Sequence, residues 1–96
     1  MKVELSEQAD DQVGKIDTWW RANRPAAPEL FADELEAALT ALDDTPTLGT
    51  RYEAGVEGIR RVLLPRTHYH LYFLKEPDRL YVVAVWSAFR GRGPRL

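Results

Sequence analysis

The chain has 96 residues, a formal net charge of −2 and no cysteine. Its length suits one domain, residues 1–96, with a single hydrophobic core. The lack of cysteine excludes disulfide bonds, thiolate metal sites and cysteine nucleophiles, and it fits a cytoplasmic protein. No apolar stretch approaches the ~20 residues of a membrane span, so we expect no membrane association.

The charge is divided unevenly along the chain. Residues 1–57 carry 5 Lys and Arg against 13 Asp and Glu, whereas residues 58–96 carry 8 against 2. The two parts therefore have net charges of −8 and +6. The split indicates either two surfaces with different partners or neutralisation within one compact domain.

The N-terminal part predicts a strand followed by a helix. Lys2–Leu5 alternates polar and apolar residues, which is typical of a short strand. Ser6 is a suitable N-cap, and Pro25 should end the helix near Asn23. The apolar positions recur at helical spacing. These positions are Ala9, Val13, Ile16 and Trp20.

A second helix is predicted after a short connection. Pro28 fits the first turn, and Asp43, Asp44 and Pro46 end the pattern. Its apolar positions have the same spacing as those of the first helix. They are Phe31, Leu35, Ala38 and Leu42. Two amphipathic helices joined by so few residues should form an antiparallel hairpin.

The rest of the chain predicts strands. Thr47–Glu57 is rich in turn residues. Ile59–Pro65, Thr67–Lys75 and Leu80–Ser87 then have the branched and aromatic composition of strands. The predicted order is β-α-α-β-β-β, an α+β fold in which the helical hairpin packs on one face of a small antiparallel sheet. The other face is expected to be partly open.

Two histidines could carry acid–base chemistry. Alternation along the predicted third strand places His68, His70 and Tyr72 on one face. Histidines two residues apart can act as metal ligands or as acid and base near neutral pH, or they can lie on a solvated face. No third His, Asp or Glu in the predicted sheet lies at a spacing typical of a metal ligand, so we expect no metal site and no cofactor.

Arginines dominate the basic part. Arg60 and Arg61 are neighbours on a strand and should point to opposite faces. With Arg66 and the arginines of the C-terminal segment they could form a basic groove floored by aromatic residues. Such a groove suits phosphate or RNA, or an acidic peptide, and a simply solvated set of arginines is the remaining alternative.

Several segments, in this order, resemble the RelE/ParE superfamily of type II toxins. They are NRPAAPELFADELEAALTAL, DTPTLGTRYEAG, GIRRVLL, THYHLYF and VVAVWSAFRGRGPRL. The resemblance implies the toxin component of a bacterial toxin–antitoxin system, similar to the ParE plasmid stabilisation toxins. Its expected partners are a cognate antitoxin, with which it could form a hetero-oligomer, and a target.

The resemblance leaves two kinds of target open. ParE-like members poison DNA gyrase by binding, whereas RelE-like members cleave messenger RNA in the ribosome. We expect the ParE-like activity, with RelE-type endoribonuclease activity as the alternative. A non-toxic interaction module or a decayed toxin is a further alternative.

The resemblance also implies residue roles. Arg60, His70 and Arg90 match positions that are catalytic in nucleases of the family, so they are catalytic candidates only for RelE-like activity. Ser87 stands where many ParE-like members have histidine, after Trp86. The residues expected to bind target or partner share the predicted open face or the basic C-terminal segment. They are Arg61, His68, Tyr72, Trp86, Arg92 and Arg95.

Overall fold

A computed structural model describes residues 2–53 and 56–96 and has the predicted α+β architecture. The elements are β1 (Lys2–Leu5), α1 (Glu7–Asn23), α2 (Leu30–Asp44), β2 (Thr50–Arg51), β3 (Arg60–Leu64), β4 (Tyr69–Lys75) and β5 (Arg79–Ser87). The strands form one sheet in the order β1-β5-β4-β3-β2. The helical hairpin and the three long strands are confirmed.

The sheet differs from the prediction in two respects. It is mixed, because β1 pairs with β5 in parallel, with Lys2 opposite Arg79. Hairpin loops impose antiparallel pairing only on strands that are neighbours in sequence, and these two strands lie at opposite ends of the chain. The second difference is β2, whose two residues pair with Arg60 and Arg61. A strand of two residues leaves no alternation by which the sequence could reveal it.

The helix boundaries follow local capping. The Ser6 hydroxyl accepts a hydrogen bond from the Ala9 N–H (3.0 Å) and donates one to the Val83 carbonyl (3.2 Å). It therefore caps α1 and ties it to β5. The second helix begins at Leu30, two residues after Pro28, which corrects the placement of Pro28 in its first turn. Neither helix of the described residues has the length and apolarity to span a membrane.

The main core lies between the helical hairpin and the sheet. Both predicted apolar stripes face it, as expected for amphipathic helices. From the helices the core buries Ala9, Trp20, Phe31, Leu35 and Leu42, and from the sheet it buries Leu64, Leu71, Phe73, Leu80, Val82 and Val85. The apolar periodicity thus predicted the residues that hold the layers together.

A β-bulge in β5 decides which side chains reach the second face of the sheet. Tyr72 of β4 pairs with Ala84, but the next residue, Phe73, pairs with Val82, so Val83 is an extra residue. The insertion reverses the alternation of β5. Val82 and Val85 both face the helices, whereas Ala84 and Trp86 face the opposite side.

The second face is covered in part, and the rest of it is open, as expected. A smaller core of Ile59, Tyr72 and Ala84 lies there beneath half-buried residues. One of them is Leu96, at the end of a segment we call the tail, residues 88–96. The tail folds back across β5 and β4, and its apolar end, Leu96, is half-buried against the second core. The uncovered part of the face lies toward Leu63, His70 and Trp86.

Candidate target-binding surface

Four residues of the second face form what we call the tyrosine–arginine cluster: Tyr52, Arg61, His70 and Tyr72. The Arg61 guanidinium lies 3.4 Å from the Tyr72 hydroxyl and 4.8 Å from the centre of the Tyr52 ring. The Tyr72 ring meets Tyr52 edge-on at 4.9 Å and His70 at 6.1 Å. Cross-strand pairing of Arg61 with Tyr72 sets these contacts.

Burial shifts the pKa of two groups in this cluster. Partial burial, and secondarily the charge of Arg61, lower the pKa of His70. Burial raises the pKa of Tyr72, although the hydrogen bond from Arg61 opposes the change. The cluster therefore presents a neutral imidazole, a protonated phenol and a guanidinium near pH 7. These groups can accept a proton, donate a hydrogen bond and bind an anion.

Arg60 lies apart from this cluster. By strand alternation it is on the side of Val62 and Leu64, which pack in the main core. Its guanidinium donates to the backbone carbonyls of residues 47, 48 and 49 at 2.8, 3.4 and 2.7 Å. Arg60 and Arg61 thus point to opposite faces, as predicted. The structure does not bring Arg60 together with His70.

The segment that contacts Arg60 also requires glycine. Gly49 has a φ of 84°, which L side chains rarely adopt. A Cβ atom there would collide with the Arg61 carbonyl oxygen. The close approach of this segment to β3 is what gives Arg60 its three carbonyl partners.

The tail holds its arginines against the sheet by backbone contacts. The indole N–H of Trp86 donates to the Arg92 carbonyl (2.9 Å), and the Gln8 amide donates to the Arg95 carbonyl (3.1 Å). The Arg90 guanidinium lies 4.4 Å from the Trp86 ring centre. The side chains of Arg90, Arg92 and Arg95 remain mostly solvent-exposed, so the tail is a docked segment with an outward basic surface.

His68 is not on β4, contrary to the prediction that it shares a strand face with His70. It lies in the β3–β4 turn with a φ of 63°. Glu34 of α2 holds this turn, since its carboxylate accepts from the Arg66 N–H (2.7 Å), the Thr67 N–H (2.9 Å) and the Thr67 hydroxyl (2.6 Å). The left-handed backbone turns the His68 ring onto Phe89, at 4.7 Å.

Sequence reasoning missed two aromatic residues of this surface. Tyr52 stands in the turn-rich connection, where an aromatic residue amid polar residues was the available signal. Phe89 lies in the basic tail and is 78% exposed. Its N–H donates to the Ser87 hydroxyl (3.2 Å). Ser87 therefore has a structural role in the turn that presents Phe89.

A groove of about 590 Å³ also lies between α1 and the end of β5. Trp19, Tyr69 and Trp86 line it together with Arg90. Gln12 closes the strand edge here, because its side-chain oxygen accepts from the Val85 N–H at 2.8 Å. No three His, Asp or Glu side chains in the described ranges are placed to hold a metal ion.

Comparisons with known proteins agree with this architecture. The chromosomal ParDE toxin–antitoxin system of P. aeruginosa gives a TM-score of 0.74 at 14% identity, over 91% of this chain and 95% of the other. The YoeB/ParE toxin of Agrobacterium tumefaciens gives 0.64 at 12% identity, over 91% and 98%. The intact RelBE toxin–antitoxin complex of E. coli gives 0.60 at 18% identity, over 93% and 98%. At these identities the likeness shows the fold.

Sequence comparison supplies the family. No curated protein gives a significant sequence match. The family model described as the ParE toxin of the type II toxin–antitoxin system parDE matches residues 3–90, which include both helices and all of the sheet except Lys2. The chain therefore belongs to the ParE family of type II toxin–antitoxin toxins.

Proposed function

We propose that this toxin arrests bacterial growth by binding an essential target, such as DNA gyrase, without cutting nucleic acid itself. The observation that carries the proposal is the position of Arg60. Its guanidinium is engaged by three backbone carbonyls, on the face opposite His70. RNA cleavage needs a base, an acid and phosphate stabilisation around one bond, and this arginine cannot join His70 there.

The surface itself supports a binding role. Arg61, Arg90 and Arg92 form no ion pair with any carboxylate of residues 2–53 and 56–96. The Trp86 ring lies among them, whereas Tyr72, expected at this surface, is only 1% exposed and belongs to the second core. Aromatic and arginine side chains are the residues on which protein interfaces most often depend. The target would therefore contact the second face and the outward side of the tail.

We further propose that a cognate antitoxin neutralises the toxin in the cytoplasm as a hetero-oligomer. The similar structures include two toxin–antitoxin assemblies. The groove beside α1 offers an apolar floor, and Arg90 lies between this groove and the second face. An acidic antitoxin segment in the groove would cover part of the surface meant for the target.

The experiment is expression of the full chain from a tightly repressed promoter, with and without the adjacent antitoxin gene. We expect growth arrest and an induced DNA-damage response, both reversed by the antitoxin. Purified toxin should inhibit supercoiling by gyrase. Unimpaired growth of cells that contain the folded toxin would contradict the proposal and favour a non-toxic module or a decayed copy.

A second candidate is a ribosome-dependent endoribonuclease. The observation that favours it is the neutral imidazole of His70 beside Arg61 and Tyr72, a base next to an anion-binding group. Primer extension on a translated message separates the candidates, because only the nuclease produces new 5′ ends. His70→Ala should abolish those ends if the imidazole is catalytic, whereas arrest without them would exclude this candidate.

A further inference from the structure

Two turns meet at one end of the sheet, and there the rings of His68 and Phe89 are in contact. The Ala88 N–H donates to the His68 carbonyl at 2.8 Å, which joins the β3–β4 turn to the start of the tail. The rings of His68 and Phe89 lie 4.7 Å apart and 40° from parallel. Phe89 is 78% exposed, against 45% for Trp19, the exposed tryptophan of α1.

The backbone next to each ring is held by a side chain of a regular element. The carboxylate of Glu34 fixes the turn before His68 through three hydrogen bonds, and Thr67 in that turn is only 5% exposed. The Ser87 hydroxyl fixes the backbone of Phe89. Exposed apolar surface is unfavourable in water. An exposed ring pair on a hydrogen-bonded backbone therefore adds little to folding and suits a ligand.

Three arginines near the ring pair make the charge there mainly positive, although the Glu34 carboxylate lies in the same turn. Arg66 is two residues before His68, and Arg90 follows Phe89 directly. Arg92 lies two residues further and is fixed by its carbonyl bond to Trp86. None of these three side chains forms an ion pair with a carboxylate of the described residues. The cations that do form ion pairs there are Lys2, Lys15, Arg21 and Arg79. The ligand should therefore be anionic.

The shape of this end decides between an acidic peptide and a nucleic acid. A peptide takes its affinity from side chains that enter pockets. The apolar groove of this toxin lies beside α1, and its lining does not include His68 or Phe89. A nucleobase needs only a flat aromatic face, with cations for the adjoining phosphates. The rings and the arginines satisfy that requirement.

We propose that the end of the sheet formed by His68 and Phe89 binds single-stranded nucleic acid, with a base stacked on Phe89 and phosphates near Arg66, Arg90 and Arg92. This inference goes beyond the proposed function, because its ligand is a polynucleotide and not the protein target. It does not require cleavage, and it stands independently of whether gyrase is the target.

The test is fluorescence anisotropy of labelled oligothymidine and oligouridine, about ten nucleotides long, titrated with the full chain made by cell-free synthesis. We expect both strands to bind more tightly than a duplex of the same length, in which the bases are hidden. A preference for one of the two strands identifies DNA or RNA as the source. Phe89→Ala should weaken binding about tenfold.

Matched variants separate stacking from charge. Leu48→Ala removes another exposed apolar side chain, outside the proposed binding surfaces, and should leave binding unchanged, whereas Phe89→Trp should retain it. A plot of log affinity against log salt concentration has a negative slope. The double variant Arg66→Ala/Arg92→Ala should make this slope less steep by about one. Thermal denaturation of each variant must match that of the parent chain. Because Phe89 is exposed, its replacement should not disturb the fold.

The inference is overturned by equal binding of Phe89→Ala and the parent chain, by equal loss in Phe89→Ala and Leu48→Ala, or by complete displacement of the oligonucleotide by oligoglutamate of the same charge. The last result would assign this end to an acidic peptide. Growth arrest without oligonucleotide binding would refute the inference alone. Binding without growth arrest would refute the proposed function and leave the inference standing.

Discussion

Single polar side chains set the geometry of the end of the sheet where His68 and Phe89 meet. Glu34 is the clearest case, because one carboxylate of α2 accepts three hydrogen bonds from the β3–β4 turn. The turn places His68 in a left-handed conformation and so brings its ring to Phe89. A residue in the main helical layer thereby positions a ring at the end of the sheet.

Replacing Glu34 tests this role. In Glu34→Ala the N–H and hydroxyl of Thr67, which is 5% exposed, lose their acceptor. Each unsatisfied buried group costs about 1–3 kcal/mol, so the free energy of unfolding should fall by about 2–4 kcal/mol in urea denaturation. Glu36→Ala removes an exposed carboxylate of the same helix and should change little. Equal effects of the two variants would contradict the role of Glu34.

His70 predicts a pH dependence of stability. Burial and the charge of Arg61 lower its pKa in the folded chain, so the unfolded chain binds the proton more readily. This contribution to stability is complete above the unfolded pKa of about 6.5 and is lost as the pH falls below it. In thermal melts between about pH 7 and 5, His70→Gln should lose less stability than the parent. Equal losses of stability in His70→Gln and the parent over this pH range would contradict the effect.

At the level of elements, the tail completes the second face of the sheet. Pro94 is buried, Leu96 packs with Leu74 and Val83, and a Cβ atom at Gly93 would collide with the Tyr52 hydroxyl. The β5 bulge creates the surface on which the tail lies, because it turns both Val83 and Ala84 to this side. The tail therefore belongs to the fold, while its arginines face outward.

Removing Pro94–Leu96 should expose the second core. We expect the free energy of unfolding to fall by about 1–3 kcal/mol, from the apolar area returned to water. Arg95→Ala deletes an exposed side chain of the same segment and keeps the backbone contact to Gln8, so its stability should match that of the parent. If the truncated chain unfolds at the same urea concentration as the parent, the tail adds nothing to the core.

For the whole molecule, the uneven charge reflects separate surfaces more than internal neutralisation. Arg79 connects the basic part to the acidic part through Glu4. The ion pairs of α1, Asp11 with Lys15 and Asp17 with Arg21, lie within the acidic part. The tail arginines form no ion pair within the described residues, so their field extends into solvent.

This field should speed association with a target. Arg92→Glu reverses a charge at the proposed contact surface, and its association rate with immobilised gyrase should fall severalfold at about 0.15 M salt, where the Debye length is about 8 Å. Lys75→Glu makes the same change at the exposed end of β4. It should have a much smaller effect, because a distant charge is screened. Equal rates for the two variants would place the contact elsewhere.

The two layers of this toxin, the helical hairpin and the sheet, follow from local sequence patterns. Apolar spacing in the helices and the composition of the strands predicted the hairpin, the three long strands and the main core, because these patterns are local and follow the period of each element. Alternation along β3 also predicted that Arg60 and Arg61 point apart. The family resemblance added the order of the elements and the candidate residues.

Which candidate functional residues contact one another depends on the tertiary structure. The bulge at Val83, the left-handed turn at His68 and the return of the tail depend on contacts between residues far apart in sequence, which leave no periodic signal. These contacts join His68 to Phe89 and carry the tail across the second face. A local pattern gives the face on which a side chain lies, but only packing decides what it touches there.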